Sequence, residues 1–161
     1  MYRRLVHESL NEMNFERVNK NPLSTMGIGK TQLIKDWLDE MGVKNYTIKD
    51  DLTIDVKYDV DLSLKNLIKF PEYIKFNKIT GWFSCANNQL TSLRGCPRIV
   101  GNALYYNYYF TCAGNNLTSL YGCPAIVYGD FYCYNNDKTF YPEYVENLCD
   151  VKGSVYSTIG D

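Results

Sequence analysis

The chain has 161 residues, 45% of them hydrophobic and 22% charged, with a formal net charge of −1. This composition speaks against a disordered chain, and the near-neutral charge against a protein that coats nucleic acid through its phosphates. Fifteen tyrosines stand out; an apolar ring with a polar tip suits a thin fold that has much surface for its core.

No run approaches the ~18 consecutive apolar residues of a membrane-spanning helix. The basic start Met1-Tyr2-Arg3-Arg4 runs into Glu8 and Asn11 without an apolar stretch, so no export signal is expected. The six cysteines then read as reduced thiols in a cytosol. Residues 1–28 form an N-terminal segment with weak helical spacing at Leu5, Val6, Leu10 and Met13. The run Ser24-Thr25-Met26-Gly27-Ile28-Gly29-Lys30-Thr31 approaches the phosphate-binding loop G-x-x-x-x-G-K-[ST]. Ser24 stands where the first glycine belongs and no apolar strand precedes it, so the reading is a glycine-rich lead-in to a helix. That helix is predicted over 29–41, with Leu33, Ile34, Trp37, Leu38 and Met41 on one face and Gly42 as its C-terminal cap. Residues 46–64 alternate (Tyr46, Ile48, Ile54, Val56, Tyr58, Val60, Leu62, Leu64) around Asp50-Asp51. They predict a β-hairpin that passes directly into the C-terminal region. Helix and hairpin, over 29–60, would cap the apolar end of that region.

The C-terminal region, over 61–161, is a repeat. Phe83-Ser84-Cys85-Ala86-Asn87-Asn88-Gln89-Leu90-Thr91-Ser92-Leu93 returns as Phe110-Thr111-Cys112-Ala113-Gly114-Asn115-Asn116-Leu117-Thr118-Ser119-Leu120, and a third copy opens at Phe131-Tyr132-Cys133. Cys112 and Cys133 are 21 residues apart, as are Leu62 and Phe83. Cys85 and Cys112 are 27 apart, which places six extra residues within 101–109. Phe-Pro-Glu-Tyr-Ile at 70–74 and Tyr-Pro-Glu-Tyr-Val at 141–145 mark degenerate flanking copies. Alternation sends each Phe and Cys to one face of a short strand. The second Asn can satisfy backbone of the adjacent coil, the two leucines fall back into the core, and Gly-Cys-Pro makes the next corner. A unit of ~20 residues cannot bury its apolar face alone, so the coils must stack. Position 138 is Lys where Leu is expected, which makes the third copy irregular.

Over roughly 60–157 this pattern resembles the leucine-rich repeat L-x-L-x-x-N-x-L, with Phe and Cys in place of the strand leucines and too little chain for full helices. The expected fold is α+β: a short leucine-rich-repeat-like parallel β-solenoid capped at its N-terminus by an amphipathic helix and a β-hairpin. More broadly, the run Glu8-Ser9-Leu10-Asn11-Glu12-Met13-Asn14-Phe15-Glu16-Arg17, Met26-Gly27-Ile28-Gly29-Lys30, Asp36-Trp37-Leu38, Tyr46-Thr47-Ile48 and the Cys-Pro repeats resemble uncharacterised proteins of bacteriophages and prophages. That resemblance implies the cytoplasm of an infected bacterium as the setting.

Nothing converges on catalysis. The one histidine is His7, no C-x-x-C occurs, and Asp55, Asp59 and Asp61 fall on the strand face away from the core, as a solvated face does. No enzyme activity, metal or cofactor is expected. Residues alternating with Phe and Cys instead predict an outward stripe: Trp82, Ser84 and Ala86; Tyr109, Thr111 and Ala113; Asp130, Tyr132 and Tyr134. The insertion adds Tyr105, Tyr106 and Tyr108 beside it. Aromatics set among small residues suit protein recognition. The partner expected is a bacterial host protein such as a defence nuclease of the CRISPR type, with nucleic acid reached only indirectly and no membrane involved. Two other readings are a virion or assembly accessory that self-associates through the C-terminal solenoid edge, and a single-stranded nucleic-acid binder that stacks bases on tyrosine.

Overall fold

The computed structural model describes residues 26–160; the sequence readings for 1–25, including Ser24 and Thr25, lie outside the described residues. The chain opens with helix α1 (Met26–Glu40), so Gly27 and Gly29 belong to the helix and not to a phosphate loop. Its apolar spacing buries Ile34, Trp37 and Leu38, with Met41 packed beside them, and Gly42 closes it at φ +77°.

Strands β1 (Tyr46–Ile48) and β2 (Ile54–Val56) pair antiparallel, Tyr46 opposite Val56, as the predicted hairpin. Every later strand pairing is parallel. One sheet runs β1-β2-β4-β6-β8-β10, with β4 at Phe76–Ile79, β6 at Ile99–Val100, β8 at Ile126–Val127 and β10 at Asp150–Val151. The other runs β11-β9-β7-β5-β3, with β3 at Val60–Asp61, β5 at Phe83–Ser84, β7 at Tyr108–Thr111, β9 at Gly129–Tyr132 and β11 at Val155–Tyr156. Each coil contributes one strand to each sheet, and the stack is a β-solenoid of about four turns. The side expected to be merely short is thus itself a parallel sheet. Its first rung is β2, so the hairpin's second strand is already part of the solenoid.

Both sheets face one interior. Phe83, Phe110 and Phe131 lie in register on adjacent strands and are fully buried, with ring centroids 5.9 and 5.0 Å apart. Cys85, Cys112 and Cys133 are buried next to them, and Ile79, Val100 and Val127 close the space from the opposite sheet. Leu90, Leu93, Leu117 and Leu120 fill the return of their coils. In the irregular third copy Lys138 is exposed and Phe140 takes the buried volume. α1 and the hairpin close the N-terminal end: Trp37 packs edge-on against Phe70 at 6.2 Å. A solenoid needs such a cap because each coil otherwise leaves one apolar face open.

A ladder of asparagines runs along one corner. Asn115 accepts the Leu90 N–H at 3.0 Å and donates to the carbonyls of Cys85 and Cys112, both at 3.0 Å. Asn88 bridges Leu62 and Cys85 in the same way, and Asn136 bridges Cys112 and Cys133. Each Asn thus ties its own coil to the preceding one through groups that would otherwise be orphaned inside.

The structure corrects the sequence reading at three places. Val60, not Leu62, pairs with Phe83, so the first coil advances by 23 residues, not 21. Tyr58 and Leu64 do not continue the inward alternation: both are exposed and have left-handed backbone, at φ +85° and +56°. Asp55 and Asp59 are not simply solvated. Asp55 accepts from Asn77 Nδ2 at 2.7 Å, and Asp59 from the Trp82 N–H at 3.0 Å, so each fastens one coil to the next.

Candidate aromatic interface

The outer face of the five-stranded sheet is set by period two: with Phe and Cys inward, their neighbours point out. Register then decides which neighbours meet. Phe83 opposite Phe110 puts Trp82 beside Tyr109, and their rings stack at 5.2 Å and 7°. Tyr132 opposite Tyr156 produces a second stack, at 4.6 Å and 7°. Tyr109 joins the two stacks edge-on to Tyr132 at 6.0 Å, and Tyr134 meets Tyr132 edge-on at 6.3 Å. Trp82, Tyr109, Tyr132, Tyr156 and Tyr134 form one connected strip. All five are half-buried, because each ring is partly covered by its neighbour.

The other residues expected at this surface have more varied places. Thr111 lies on the strip, half-exposed, and its Oγ1 accepts the Ala113 N–H at 3.3 Å. Asp130 is at the strip's margin and already engaged: Oδ1 accepts the Ser154 N–H at 2.8 Å, and Oδ2 the Tyr132 hydroxyl at 3.4 Å. Ser84 and Ala113 point outward yet are only 6% and 4% exposed, which corrects the expectation of small residues open to a partner. A short side chain beside rows of upright rings is recessed below the surface they define. Tyr105 and Tyr106 are exposed on the insertion, whose chain is pinned by Asn102 donating from Nδ2 to the Tyr108 hydroxyl at 3.2 Å. The ring contact of Tyr106 is with Tyr128, 6.3 Å away at the solenoid corner, so the loop does not extend the strip. Tyr108 is half-buried and serves as that loop's anchor.

Tyr156 was not anticipated. Its signal lay in Gly153-Ser154-Val155-Tyr156, which repeats the Gly129-Asp130-Phe131-Tyr132 pattern. The strip is also acidic. The outward rows carry Asp59, Asp61 and Asp130 and no Lys or Arg. Partial burial, and then Asp59 and Asp61, hold the Tyr109 hydroxyl above its ordinary pKa. Burial followed by Asp130 does the same for Tyr132. The Tyr109 and Tyr132 hydroxyls therefore stay neutral donors at physiological pH.

Among the described residues no cluster of His, Cys, Asp or Glu has the arrangement of a metal site, and no helix is long and apolar enough to cross a membrane. All six cysteines are free thiols, five of them buried. No protein family, curated protein or solved structure matches this chain.

Proposed function

We propose that the chain is a non-catalytic protein-binding module that presents the outer face of its five-stranded sheet to a partner. The observation that carries this is the connected strip Trp82–Tyr109–Tyr132–Tyr156 with Tyr134. Rings held in place by each other lose little rotamer freedom when a partner docks. Their edges and hydroxyls remain to make contacts, the usual anchor chemistry of a protein interface. The narrower reading, a phage-encoded protein that occupies a bacterial host protein such as a CRISPR-type defence nuclease in the host cytoplasm, rests on the resemblance of its N-terminal third and Cys-Pro repeats to phage proteins. The test is affinity capture from bacterial lysate with wild type and with Trp82→Ala plus Tyr132→Ala. A partner held by wild type and lost by the double variant is expected; equal retention by both removes this surface from the proposal.

Self-association is the second reading, favoured by the outer edges of β10 and β11, which have no partner strand among the described residues. Light scattering over a concentration series decides it: a persistent monomer eliminates it. Base stacking on the strip is disfavoured by Asp59, Asp61 and Asp130, since stacking proteins add a positive groove.

A further inference from the structure

The corners on the side of the six-stranded sheet carry the opposite charge. A 610 Å³ recess is lined by Lys49 from the hairpin, Lys75 from the next coil, and Arg94 and Arg98 from the coil after that. Lys75 and Arg94 also line an adjoining 420 Å³ recess that adds Lys69. All five cations are exposed. Two carboxylates accompany them, Asp51 in the first recess and Glu72 in the second. Asp51 Oδ1 accepts both the N–H and the hydroxyl of Thr53, at 3.0 and 2.6 Å; these neutral donors fix the carboxylate in place and leave its charge beside Lys49. Among the described residues the ion pair within 4.0 Å is Lys152 with Asp150, at the far end of the stack. No cation of either recess is in an ion pair with a described carboxylate within that distance, and five positive side chains against two carboxylates leave the region net positive.

An aromatic ring stands at the same place. Tyr121 lines the larger recess and is 73% exposed. It immediately precedes Gly122, as Arg94 precedes Gly95, and Gly122 packs directly on the Leu93–Arg94 backbone. Tyr121 and Arg94 thus occupy equivalent corners of adjacent coils, about 5 Å apart along the stack. A phosphate on Arg94 and Arg98 would bring the neighbouring base over a free phenol face. This combination of a cationic track and an unoccupied ring is what single-strand binders use. An acidic protein segment would satisfy the cations, but a single strand offers a stacking ring with every phosphate, which matches a cationic track set beside an exposed phenol. The acidic strip across the solenoid directs a polyanion to this side, since like charge repels it from the other.

We infer that the recess bounded by Lys49, Lys75, Arg94, Arg98 and Tyr121 binds single-stranded nucleic acid, a site separate from the aromatic interface. Its contacts are phosphate-directed and stacking, so it discriminates little among sequences.

The experiment titrates the full chain into a fluorescein-labelled oligothymidylate of about 12 nucleotides and follows anisotropy at several salt concentrations between about 20 and 200 mM. Arg94→Gln plus Arg98→Gln should weaken binding about tenfold at low salt and lower the salt slope by about 0.7 for each phosphate no longer neutralised. Tyr121→Ser should weaken binding several-fold and leave that slope unchanged. Trp82→Ala plus Tyr132→Ala should bind the oligonucleotide as wild type does, which separates this site from the proposed protein interface. Arg94, Arg98 and Tyr121 are exposed and Trp82 and Tyr132 half-buried; an unchanged urea midpoint for the recess variants, and a cooperative urea transition for the Trp82/Tyr132 pair, confirm that they are folded. No anisotropy change with wild type at low salt would overturn the inference, as would arginine variants that bind normally. Displacement of the oligonucleotide by an oligoglutamate of equal charge at equal concentration would also overturn it, marking the recess as a site for acidic protein.

Discussion

Asn115→Ala tests whether the asparagine ladder, and not only the apolar interior, holds the coils in register. Asn115 is 6% exposed. Its Oδ1 is the one acceptor found for the Leu90 N–H, and its Nδ2 serves the Cys85 and Cys112 carbonyls. Each of those carbonyls keeps a second asparagine when Asn115 is replaced, Asn88 in one case and Asn136 in the other. The dominant cost is therefore one buried amide left without a partner, about 1–3 kcal/mol. Two half-stripped carbonyls and a small void raise the expected loss to about 2–4 kcal/mol. The neighbouring Asn116 is the control: exposed, with one long side-chain bond to Asp137 at 3.3 Å, its replacement by Ala should stay within about 0.5 kcal/mol. Urea denaturation followed by far-ultraviolet circular dichroism reads both, and the midpoint should fall for Asn115→Ala with the slope unchanged. Equal small losses for the two variants would refute the ladder as a source of stability.

Gly129→Ala should unfold the chain or cost more than about 3 kcal/mol, because residue 129 has φ +146° and a Cβ there would run into the Tyr108 backbone. Gly42→Ala, whose Cβ meets nothing within 4 Å, should cost about 1 kcal/mol through its positive φ alone, and thermal melts compare the two. The buried thiols make stability fall in alkali: burial pushes Cys123 up to about 11 and Cys133 and Cys149 up to about 12. The native state then holds protons that the unfolded chain releases near pH 9. The contribution is intact below that pH and is lost as pH rises toward 11–12, at up to ~1.4 kcal/mol per pH unit for each thiol; urea midpoints that stay flat from pH 8 to 11 would contradict it. In Ellman titrations at neutral pH, the half-buried Cys123 should react before the other five.

The interior was legible because it repeats. Phe and Cys two apart, followed by Asn and two leucines, recur closely enough that strand, ladder and return could each be named. The first coil misled because Val60 and Leu62 both point inward, so the 21-residue spacing from Leu62 fitted as well as the true register from Val60. Leu64 misled for a different reason. It occupies the left-handed position that Asn87, Gly114 and Asn135 hold in later coils, where an apolar side chain conceals the turn. Beyond Phe76–Ile79 the second sheet continues as the two-residue strands Ile99–Val100, Ile126–Val127 and Asp150–Val151, too short for alternation to register. Of the interface, the rings were legible from period two, whereas the burial of Ser84 and Ala113 depends on the height of neighbouring rings. The basic recess was not legible at all, because Lys49, Lys75, Arg94 and Tyr121 lie about a coil apart in sequence and meet only through stacking.

The insertion leaves the stack at Gly101, whose N–H is held by the Ile79 carbonyl, and rejoins it at Tyr108 opposite Gly129. Entry and exit are both fixed to rungs, so the residues between them can change in number without moving Phe110 away from Phe83. That corner is where length variation is cheapest for this architecture, and where a foreign peptide could be spliced in while the scaffold behind it keeps its shape.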